Sequence, residues 1–518
     1  MFKKILPITL GSFGSYLIYD YNSQDRILYR NLRTLKTGFI ILYNYKIRFS
    51  PENVNQIHEE TAAEIYNLCK SNDGLYVKFG QQIAAQDHIL PPAYFKYFSS
   101  LQDQATSVPY LAVERIIKND LGKKPDEIFS YFEKEPIASA SIAQVHKARL
   151  CSGEEVAVKV QKPNIKGQFK SDMFMHWLFL TVLEKAFDLP LSAFHQSIEE
   201  NLGKEIDFRI EAQNAKKCSE NFLKLNRKDI YVPEIYKEYT TPRILVMEWI
   251  NGIKITEENE LIKQGFQPKK LVQSIIEGFA EQIFISGFTH ADPHPGNILI
   301  RRNPLNKSQE QIVLLDYGLC YQTQDFFREQ YCMFWKYLFL QNNQQLRNIV
   351  KQWGITDDEA FASSQLMRPY QKNKPILKDI SKTDVYNLQL KFKGDVKKML
   401  GDTEKFPKDL IYINRNMNLV RSINKRLGSK VNRISIMAKY SVEGLNSKSN
   451  SFKARFNVFW FQMRLLLSQM IYQLVQTWFK ITTGKGFEEI IEENIKQTIN
   501  ERYQQYGMIP PDENTFNA

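Results

Sequence analysis

The sequence predicts an α+β fold in which helices precede and follow a group of short strands. Helical patterns run to about residue 125, and the chain beyond the last strand-like run is rich in helix. Helical patterns at Gln196–Leu223 and Pro268–Ser286 separate short runs of β-branched and alternating residues, which are bounded by turn signals. The predicted strands are Val145–Leu150, Glu155–Gln161, Tyr231–Tyr236, Arg243–Trp249, Asn297–Arg301 and Gln311–Leu315.

Length and composition predict a folded globular protein. The 518 residues are 43% hydrophobic and 24% charged, which fits a two-lobed enzyme with extensions as well as about three average domains. The net charge of +12 favours nucleic acid, anionic lipid or phosphorylated ligands as partners. Because the sequence has no zinc-finger spacing, aromatic ribonucleoprotein signature or long Lys/Arg block, we expect no nucleic-acid partner.

The cysteines predict a reducing compartment. They are odd in number, scattered along the chain and never arranged as C-x-x-C, which argues against a disulfide framework and a cysteine-based zinc site. The five are Cys69, Cys151, Cys218, Cys320 and Cys332.

The first fifty residues differ in character from the rest. The apolar stretch Ile5–Tyr19 is shorter than the roughly 20 residues that span a bilayer, and no small-residue cleavage site follows it. The basic, acid-poor segment predicts a mitochondrial presequence or a membrane-proximal anchor. Asp20 and Asp25 count against an ideal presequence, and an ordinary surface helix remains the alternative. The basic residues are Lys3, Lys4, Arg26, Arg30, Arg33, Lys36, Lys46 and Arg48.

Lys159 is the first candidate for chemistry. It lies in the valine-rich run Glu155–Val160, where a side chain points from one face of a strand and its ammonium can reach phosphate oxygens. Alone the motif is short, because a lysine in such a strand is usually an exposed charge.

A loop motif and a later carboxylate strengthen this reading. Asp292 and Asn297 are five residues apart, the spacing at which the catalytic loop of kinases places a residue that orients a nucleophilic oxygen and a metal ligand. Asp316, followed by Tyr317 and Gly318, ends an apolar strand, where kinases place the carboxylate that chelates Mg²⁺ on the ATP phosphates. The order Lys, Asp-x₄-Asn, Asp-aromatic-Gly predicts a protein-kinase-like site for ATP or ADP with Mg²⁺.

His290 and His294 invite a metal reading, because they flank Asp292 at a spacing of four. The prolines and glycine of this segment prevent a regular helix, and a zinc site needs a further ligand at a recognisable spacing. Structural histidines of a tight loop are the favoured interpretation.

Further motifs resemble the UbiB-type, aarF-domain-containing atypical kinases. Pro136–His146 is similar to the family's alanine-rich loop, and Lys78-Phe79-Gly80-Gln81 matches its K-x-G-Q motif. Glu205-Ile206-Asp207 matches its E-x-D motif, with Glu211 expected on the same helix. More loosely, Asp409–Leu445 contains an Asn-x-x-Leu-Val-Arg-Ser-Ile helix similar to mitochondrial members.

The resemblance implies a two-lobed protein-kinase-like fold with an N-terminal helical extension carrying K-x-G-Q and a helix-rich C-terminal region. It implies that Glu211 holds Lys159 by an ion pair, and that Lys78 pairs with Glu205 or Asp207 where a protein substrate would lie. Trans phosphorylation of peptides is then restrained, which favours ATP hydrolysis or a small or lipid-like substrate. The resemblance assigns the nucleotide to Ala138, Ser139, Ala140, Ser141, Lys159 and Glu211, the metal to Asn297 and Asp316, catalysis to Asp292 and Lys159, and regulation to Lys78, Gln81, Glu205 and Asp207.

Three departures from the family pattern stand out. Tyr317 replaces the usual Phe and adds a hydroxyl that needs a partner, and Ser139 interrupts the alanine run. Asn72-Asp73-Gly74 stands where many relatives have Gly-Pro. None of these removes a catalytic group.

The expected function is therefore an ATP-binding atypical kinase or ATPase in mitochondrial lipid or coenzyme Q metabolism. We expect it to be membrane-associated, with a membrane lipid or quinone-related substrate and a mitochondrial protein complex as partners. A nucleotide-binding pseudokinase scaffold is the alternative. An aminoglycoside- or choline-kinase-like enzyme is disfavoured, because such enzymes lack the Lys78 and Glu205 motifs.

Five regions are predicted: residues 1–50 for targeting or membrane proximity, 51–125 for the helical extension, 126–250 for the N-lobe, 251–450 for the C-lobe and 451–518 for a helical tail. In the tail, Phe456–Phe479 is long enough to span a bilayer, but Arg464 at its centre would cost about 2.5 kcal/mol or more. A packing or membrane-surface helix is expected there instead.

Overall fold

A computed structural model describes most of the chain. The described residues are 19–20, 23, 25–50, 53–84, 92–102, 107–188, 191–192, 195–291, 294–355, 358–366, 370, 407–428, 431–446, 452–484, 490 and 493. They fold as two compact units. The first takes in the chain to Arg209 with Ile235–Trp249, and the second takes in Ile210–Glu234 and the chain from Ile250.

The first unit contains an antiparallel sheet and the helices that precede it in the sequence. Its helices are α1 (Ile27–Tyr43), α2 (Val54–Asn72), α3 (Leu75–Ala84), α4 (Pro92–Phe98), α5 (Tyr110–Leu121), α6 (Pro125–Ile128), α7 (Ile165–Phe187) and α8 (His195–Glu205). Its strands are β1 (Phe129–Phe132), β2 (Ala138–Ser139), β3 (Ala143–Leu150), β4 (Glu155–Gln161) and β6 (Ile244–Glu248). Strand β5 (Ile230–Tyr231) belongs to the second unit.

The sheet of the first unit runs in the order β1-β3-β4-β6, with β2 paired to β3. Its inner face packs on α5, so that alternate side chains of the strands meet one face of that helix. Val113, Ile117, Val158 and Val246 are fully buried in this core. Before the sheet, α2, α3 and α4 pack together, and α1 packs on α7.

The second unit contains two small sheets and a helical core. Strand β5 (Ile230–Tyr231) begins a four-stranded sheet of order β5-β10-β9-β7, and β8 pairs with β11. The other strands are β7 (Ile253–Lys254), β8 (Phe288–His290), β9 (Ile298–Asn303), β10 (Asn306–Leu314) and β11 (Cys320–Gln322). The helices are α9 (Phe208–Lys224), α10 (Glu258–Lys263), α11 (Pro268–Glu281), α12 (Asp325–Leu340), α13 (Asn343–Gln352), α14 (Asp358–Leu366), α15 (Lys408–Arg426), α16 (Arg433–Asn446) and α17 (Phe452–Thr483).

Helix α16 packs on both α11 and α12. Gly444 permits close packing of α16 on α12 and on the turn that follows α11, because a Cβ at that position would clash with the carbonyl oxygen of Phe284 and lie 3.1 Å from Cys332 Sγ. Tyr331 and Trp335 of α12 are fully buried in the same core. Helix α9 begins in the last residues of the first unit, since the division falls after Arg209.

The predicted strands are present, with differences at their ends. Glu155–Gln161 has the predicted bounds, but the predicted strand Tyr231–Tyr236 is reduced to the pair Ile230–Tyr231. Pro233 explains the loss, because proline has no N–H to donate to a ladder. Ile235 then makes an isolated bridge to Met247.

The predicted helix Gln196–Leu223 is wrong as a single element. The structure divides it into α8 and α9, with the break at Ile206 and Asp207. Helix α17 contains the whole apolar stretch Phe456–Phe479 of the C-terminal tail. Among the helices that the structure describes, none combines the length and hydropathy needed to cross a bilayer.

Candidate functional site

Lys159 lies on the central part of the first unit's sheet. In β4 it is paired with Val145 of β3 on one side and Leu245 of β6 on the other, so its backbone is held by both neighbours. Its ammonium lies 5.3 Å from the ring centroid of Phe208, a cation–π distance. The strand therefore holds Lys159 at a defined position, as a phosphate-binding lysine requires.

The alanine-rich segment is a tight hairpin rather than a loop. Ala138 and Ser139 form strand β2, which pairs antiparallel with Val145 and Gln144. The Ala140 N–H donates to the Ala143 carbonyl over 2.8 Å and closes the turn. Pairing with β3 is the physical reason for the difference from the predicted loop.

Within this hairpin, Ser141 is buried while Ala138 and Ala140 are exposed. These exposed backbone positions are therefore open to a ligand, and their nucleotide role stays a prediction.

Lys78 contacts one of its two predicted partners. Its Nζ lies 2.5 Å from Glu205 Oε1, and the side chains are 19% and 13% exposed. Asp207 instead binds Arg209, whose Nη2 lies 2.6 Å from Asp207 Oδ2. The Arg209 guanidinium holds the pKa of the Asp207 carboxyl below its usual range. Glu205 is thus the carboxylate that receives Lys78.

Two features place the helix that carries Lys78. Asp73 and Gly74 have φ angles of 51° and 57°, so the chain turns through the left-handed region just before α3. Asp73 Oδ2 lies 3.6 Å from the buried Lys162 Nζ, which follows the strand of Lys159. The Asn72-Asp73-Gly74 departure therefore supplies an ionic anchor to the sheet.

Gly80 and Gln81 of the K-x-G-Q motif have structural roles in this chain. A Cβ on Gly80 would lie 2.4 Å from Leu101 Cδ1 and 3.1 Å from the Phe98 ring, so glycine allows close helix packing. The Gln81 amide donates to the Leu101 carbonyl over 3.1 Å. Both residues fix α3 against the segment that follows α4.

The E-x-D segment is a junction between two helices. Gln161 Nε2 donates to the Ile206 carbonyl over 2.8 Å, and the Arg209 N–H donates to Asp207 Oδ1 over 3.1 Å. These bonds satisfy backbone groups outside a helical ladder, which explains the break in the predicted helix. Because Gln161 is two residues from Lys159, the same face of β4 carries the lysine and supports the junction.

In the second unit, Asn297 and Asp316 are brought together by the β9–β10 hairpin. Asn297 immediately precedes β9, and its carbonyl accepts from the Leu315 N–H over 2.8 Å. Asp316 has a φ angle of 59°, and its Oδ1 accepts from the Gly318 N–H over 3.1 Å. The pairing of Asn297 with Leu315 therefore places the amide oxygen of Asn297 and the carboxylate of Asp316 on neighbouring residues at one end of the hairpin. Asp292 lies outside the described residues.

His290 and His294 each make a hydrogen bond to a backbone group, His290 outside the loop and His294 within it. His290 Nε2 donates to the Asp316 carbonyl over 2.5 Å, and His294 Nδ1 accepts from the Gly296 N–H over 3.0 Å. The favoured reading of structural histidines agrees with these contacts. Tyr317 is buried, and its hydroxyl finds the partner it needs in the Leu314 carbonyl at 3.0 Å.

Glu211 lies close enough to Cys320 to act on the pKa of its thiol. Burial raises the pKa of the Cys320 thiol well above its ordinary value, and Cys218, Asp316 and Glu211 add to this in that order. Glu211 is buried on α9, so it and Asp316 form the acidic surroundings of one thiol. The predicted ion pair between Glu211 and Lys159 stays a prediction.

Asn416 is a residue of this site to which the sequence assigned no role. It is 0% exposed on α15, and its Nδ2 donates to the His290 carbonyl over 3.2 Å. It is the first residue of the Asn-x-x-Leu-Val-Arg-Ser-Ile motif within α15, where an amide among apolar residues is the signal that such a contact leaves in a sequence. Helix α15 thereby supports the loop that leads to Asn297.

Comparison with known proteins identifies the family. The model of the ABC1 atypical kinase-like domain matches residues 100–350. An ABC1 family protein of Schizosaccharomyces pombe is 35% identical over 448 residues, which cover 84% of this chain and 83% of that protein. The chain belongs to the ABC1 atypical kinase family. AarF domain-containing protein kinase 1 of Xenopus laevis is 32% identical over 445 residues, with 82% of this chain and 84% of the relative covered.

Two further similarities are more limited. AarF domain-containing kinase 1 of Drosophila melanogaster is 38% identical over 322 residues, or 61% of each chain. The erythromycin complex of Rv3197 from Mycobacterium tuberculosis has a TM-score of 0.45 and 22% identity, covering 73% of this chain and 94% of that one. The family membership and the kinase-like α+β fold predicted from the motifs are confirmed.

Proposed function

We propose that this ABC1-family chain binds ATP with Mg²⁺ and acts as a phosphotransferase or ATPase. The observation that carries the proposal is the backbone bond of 2.8 Å between Leu315 N–H and the Asn297 carbonyl, which sets Asn297 beside the turn of Asp316. A carboxylate and an amide oxygen are hard donors of the kind Mg²⁺ prefers. Bound Mg²⁺ supplies positive charge that neutralises phosphate oxygens.

The donor set fits Mg²⁺ shared with a nucleotide. In the part of the chain that the structure describes, no group of three His, Cys, Asp or Glu side chains is placed to hold a metal ion by itself. Mg²⁺ typically takes one or two protein oxygens and completes its shell with water and substrate phosphates. Asn297 and Asp316 match that requirement, and Lys159 supplies a fixed ammonium for phosphate oxygens.

We further propose that the K-x-G-Q helix restrains phosphorylation of proteins in trans. The ion pair between Lys78 and Glu205 is largely shielded from water, and the Asp73–Lys162 pair anchors the same helix to the sheet. A side chain held in this way is expensive to displace, since it leaves a carboxylate partly buried without its partner. A small or lipid-like phosphate acceptor is therefore favoured over a peptide.

The proposed setting is the mitochondrion, in lipid or coenzyme Q metabolism and in association with a membrane. The basic, acid-poor N-terminal segment and the motif resemblance support it. A membrane lipid or quinone-related substrate and a mitochondrial protein complex are the proposed partners. Fractionation of cells that express the tagged chain tests the compartment, and a cytosolic location would refute it.

The experiment for the catalytic proposal uses the full chain and the variant Asp316→Asn. We expect wild type to bind ATP in a Mg²⁺-dependent manner and to hydrolyse it, measured with and without lipid vesicles. The variant should lower hydrolysis about 100-fold, the usual effect of removing one charge-stabilising group. Asp325→Asn is the matched control, because the Asp325 side chain is 76% exposed at the start of α12 and its contact with Arg328 is a long one of 3.5 Å.

A second variant separates binding from turnover. Lys159→Met should weaken nucleotide binding, while Lys147→Met should not, because Lys147 is a strand lysine engaged by Glu155 at 3.2 Å. If ATP binds but wild type and Asp316→Asn hydrolyse equally little, the enzyme proposal fails and the pseudokinase scaffold replaces it.

A further inference from the structure

Helix α1 and the turn after it expose a stripe of large apolar side chains. Leu32, Phe39, Tyr43 and Ile47 follow one another at helical spacing, and Phe39 and Ile47 are each 72% exposed. The segment from Ile27 to Phe49 contains no acidic residue. Such a stripe costs solvation free energy in water, which a partner surface would recover.

Helix α7 carries a second stripe with the same character. Phe174 and Trp177 are exposed in its middle, with their rings 5.8 Å apart. Exposed lysines lie on both sides of them along the helix, at Lys170 and Lys185. Aromatic residues between lysines are typical of helices that lie in a membrane interface.

The two stripes adjoin along the line where α1 packs on α7. Asn31 Nδ2 donates to Ser171 Oγ over 3.0 Å, and a Cβ on Gly38 would lie 3.8 Å from the Phe179 ring. The two exposed aromatic residues of α7 lie in sequence between these contact points. The exposed side chains of both helices therefore border one seam of the first unit. We call the set Leu32, Phe39, Tyr43, Ile47, Phe174 and Trp177 the α1–α7 face.

On α1 and α7 the exposed charges beside this face are mainly positive, and Glu60 of α2 is paired with Arg48. Lys36 and Lys46 are exposed on the α1 side, while Asp172 of α7 is buried in an ion pair with Arg30. Glu184 accepts from the Ser192 N–H over 2.8 Å. Exposed acid on α7 is confined to its C-cap, Asp188, in the segment that the structure describes. The exposed charge that flanks the apolar stripes is consequently lysine.

We propose that the α1–α7 face docks on an anionic membrane surface, with its aromatic side chains at the headgroup level and its lysines on lipid phosphates. Charge complementarity selects this partner, because a second copy of the chain would set lysine against lysine across a self-complementary contact. The inference rests on the membrane association put forward above. It requires no turnover, so its failure is distinguishable from failure of the catalytic proposal.

The test measures binding of the full chain to phosphatidylcholine vesicles with and without phosphatidylglycerol. Wild type should bind the anionic vesicles more tightly, and added salt should weaken the binding. Phe39→Glu should lower the partition coefficient about tenfold or more, and Lys36→Gln and Lys170→Gln about fivefold each. Leu111→Glu is the matched control, because Leu111 on α5 has the same 72% exposure as Phe39 and lies outside the face.

A competing surface is included in the same experiment. Helix α17 also exposes apolar residues, among them Leu474 at 72%. If Leu474→Glu abolishes vesicle binding and Phe39→Glu does not, the proposal is overturned. It is also overturned if wild type ignores anionic vesicles, or if Phe39→Glu abolishes self-association rather than vesicle binding. Equal loss in Phe39→Glu and Leu111→Glu would equally refute it.

Discussion

Replacing Asn416 with alanine should impair nucleotide handling more than it impairs folding. The amide of Asn416 donates to the His290 carbonyl over 3.2 Å inside the second unit, and the side chain is 0% exposed. Alanine leaves that buried carbonyl without its donor, which costs about 1–3 kcal/mol. Because His290 also donates to the Asp316 carbonyl, the disturbance reaches the turn of the metal-binding carboxylate.

Asn424 provides a matched control on the same helix. It is also 0% exposed and makes two hydrogen bonds to Val431. Asn424 Nδ2 donates to the Val431 carbonyl over 2.9 Å, and the Val431 N–H donates to Asn424 Oδ1 over 3.3 Å. On hydrogen bonds alone, Asn424→Ala should destabilise the chain at least as much as Asn416→Ala. Its contacts lie at the turn after α15, away from the loop that holds Asn297.

The assay ranks the two variants once by stability and once by nucleotide affinity and hydrolysis. Chemical denaturation gives the free energy of unfolding of each variant, and titration of ATP with Mg²⁺ gives affinity and hydrolysis for the folded protein. We expect Asn416→Ala to lose about tenfold in hydrolysis, which corresponds to roughly 1.4 kcal/mol of lost stabilisation, and Asn424→Ala to stay near wild type. If activity follows stability in both variants, Asn416 is a packing residue and the reasoning is wrong.

Two further predictions concern the first unit. A double-mutant cycle on Lys78→Met and Glu205→Gln should give a coupling free energy of about 1–3 kcal/mol, because this pair is largely shielded. The same cycle on Arg209 and Asp207, where the guanidinium side is 59% exposed, should give a coupling within experimental error, and equal couplings would contradict the argument. Burial lowers the pKa of His176 to about 4, so the unfolded state binds a proton more readily and stability falls as pH drops from about 6.5 towards 4. At pH 5 the loss should be about 2 kcal/mol, and His176→Leu should remove that part of the acid sensitivity measured by thermal unfolding.

The sequence predicted best what depends on local pattern. Strand β4, with Lys159, was predicted to the residue because a run of alternating valines follows a turn signal at Ser152-Gly153. The end of an apolar strand just before Asp316 was also predicted, and the structure ends β10 at Leu314. The hydroxyl of Tyr317 found its partner three residues away, which is a local contact too.

Features that depend on distant contacts were missed. The break between α8 and α9 requires the amide of Gln161, which is 45 residues from the Ile206 carbonyl it binds. The bond from Asn416 to His290 spans 126 residues. Helical periodicity cannot reveal either contact, because the pattern of apolar residues records which face is buried but not which atoms it meets.

Strand β4 connects nucleotide binding at Lys159 with the ion pair between Lys78 and Glu205. It carries Lys159 on the same face as Gln161, and Gln161 holds the junction that directly follows Glu205. If a nucleotide that binds Lys159 displaces the strand or the junction, the equilibrium constant for release of Lys78 from Glu205 changes by some factor. Thermodynamic reciprocity then requires that release of Lys78 change the affinity for the nucleotide by the same factor. A single backbone carbonyl, that of Ile206, would thus serve as the coupling point between ligand occupancy and the restraint on the site.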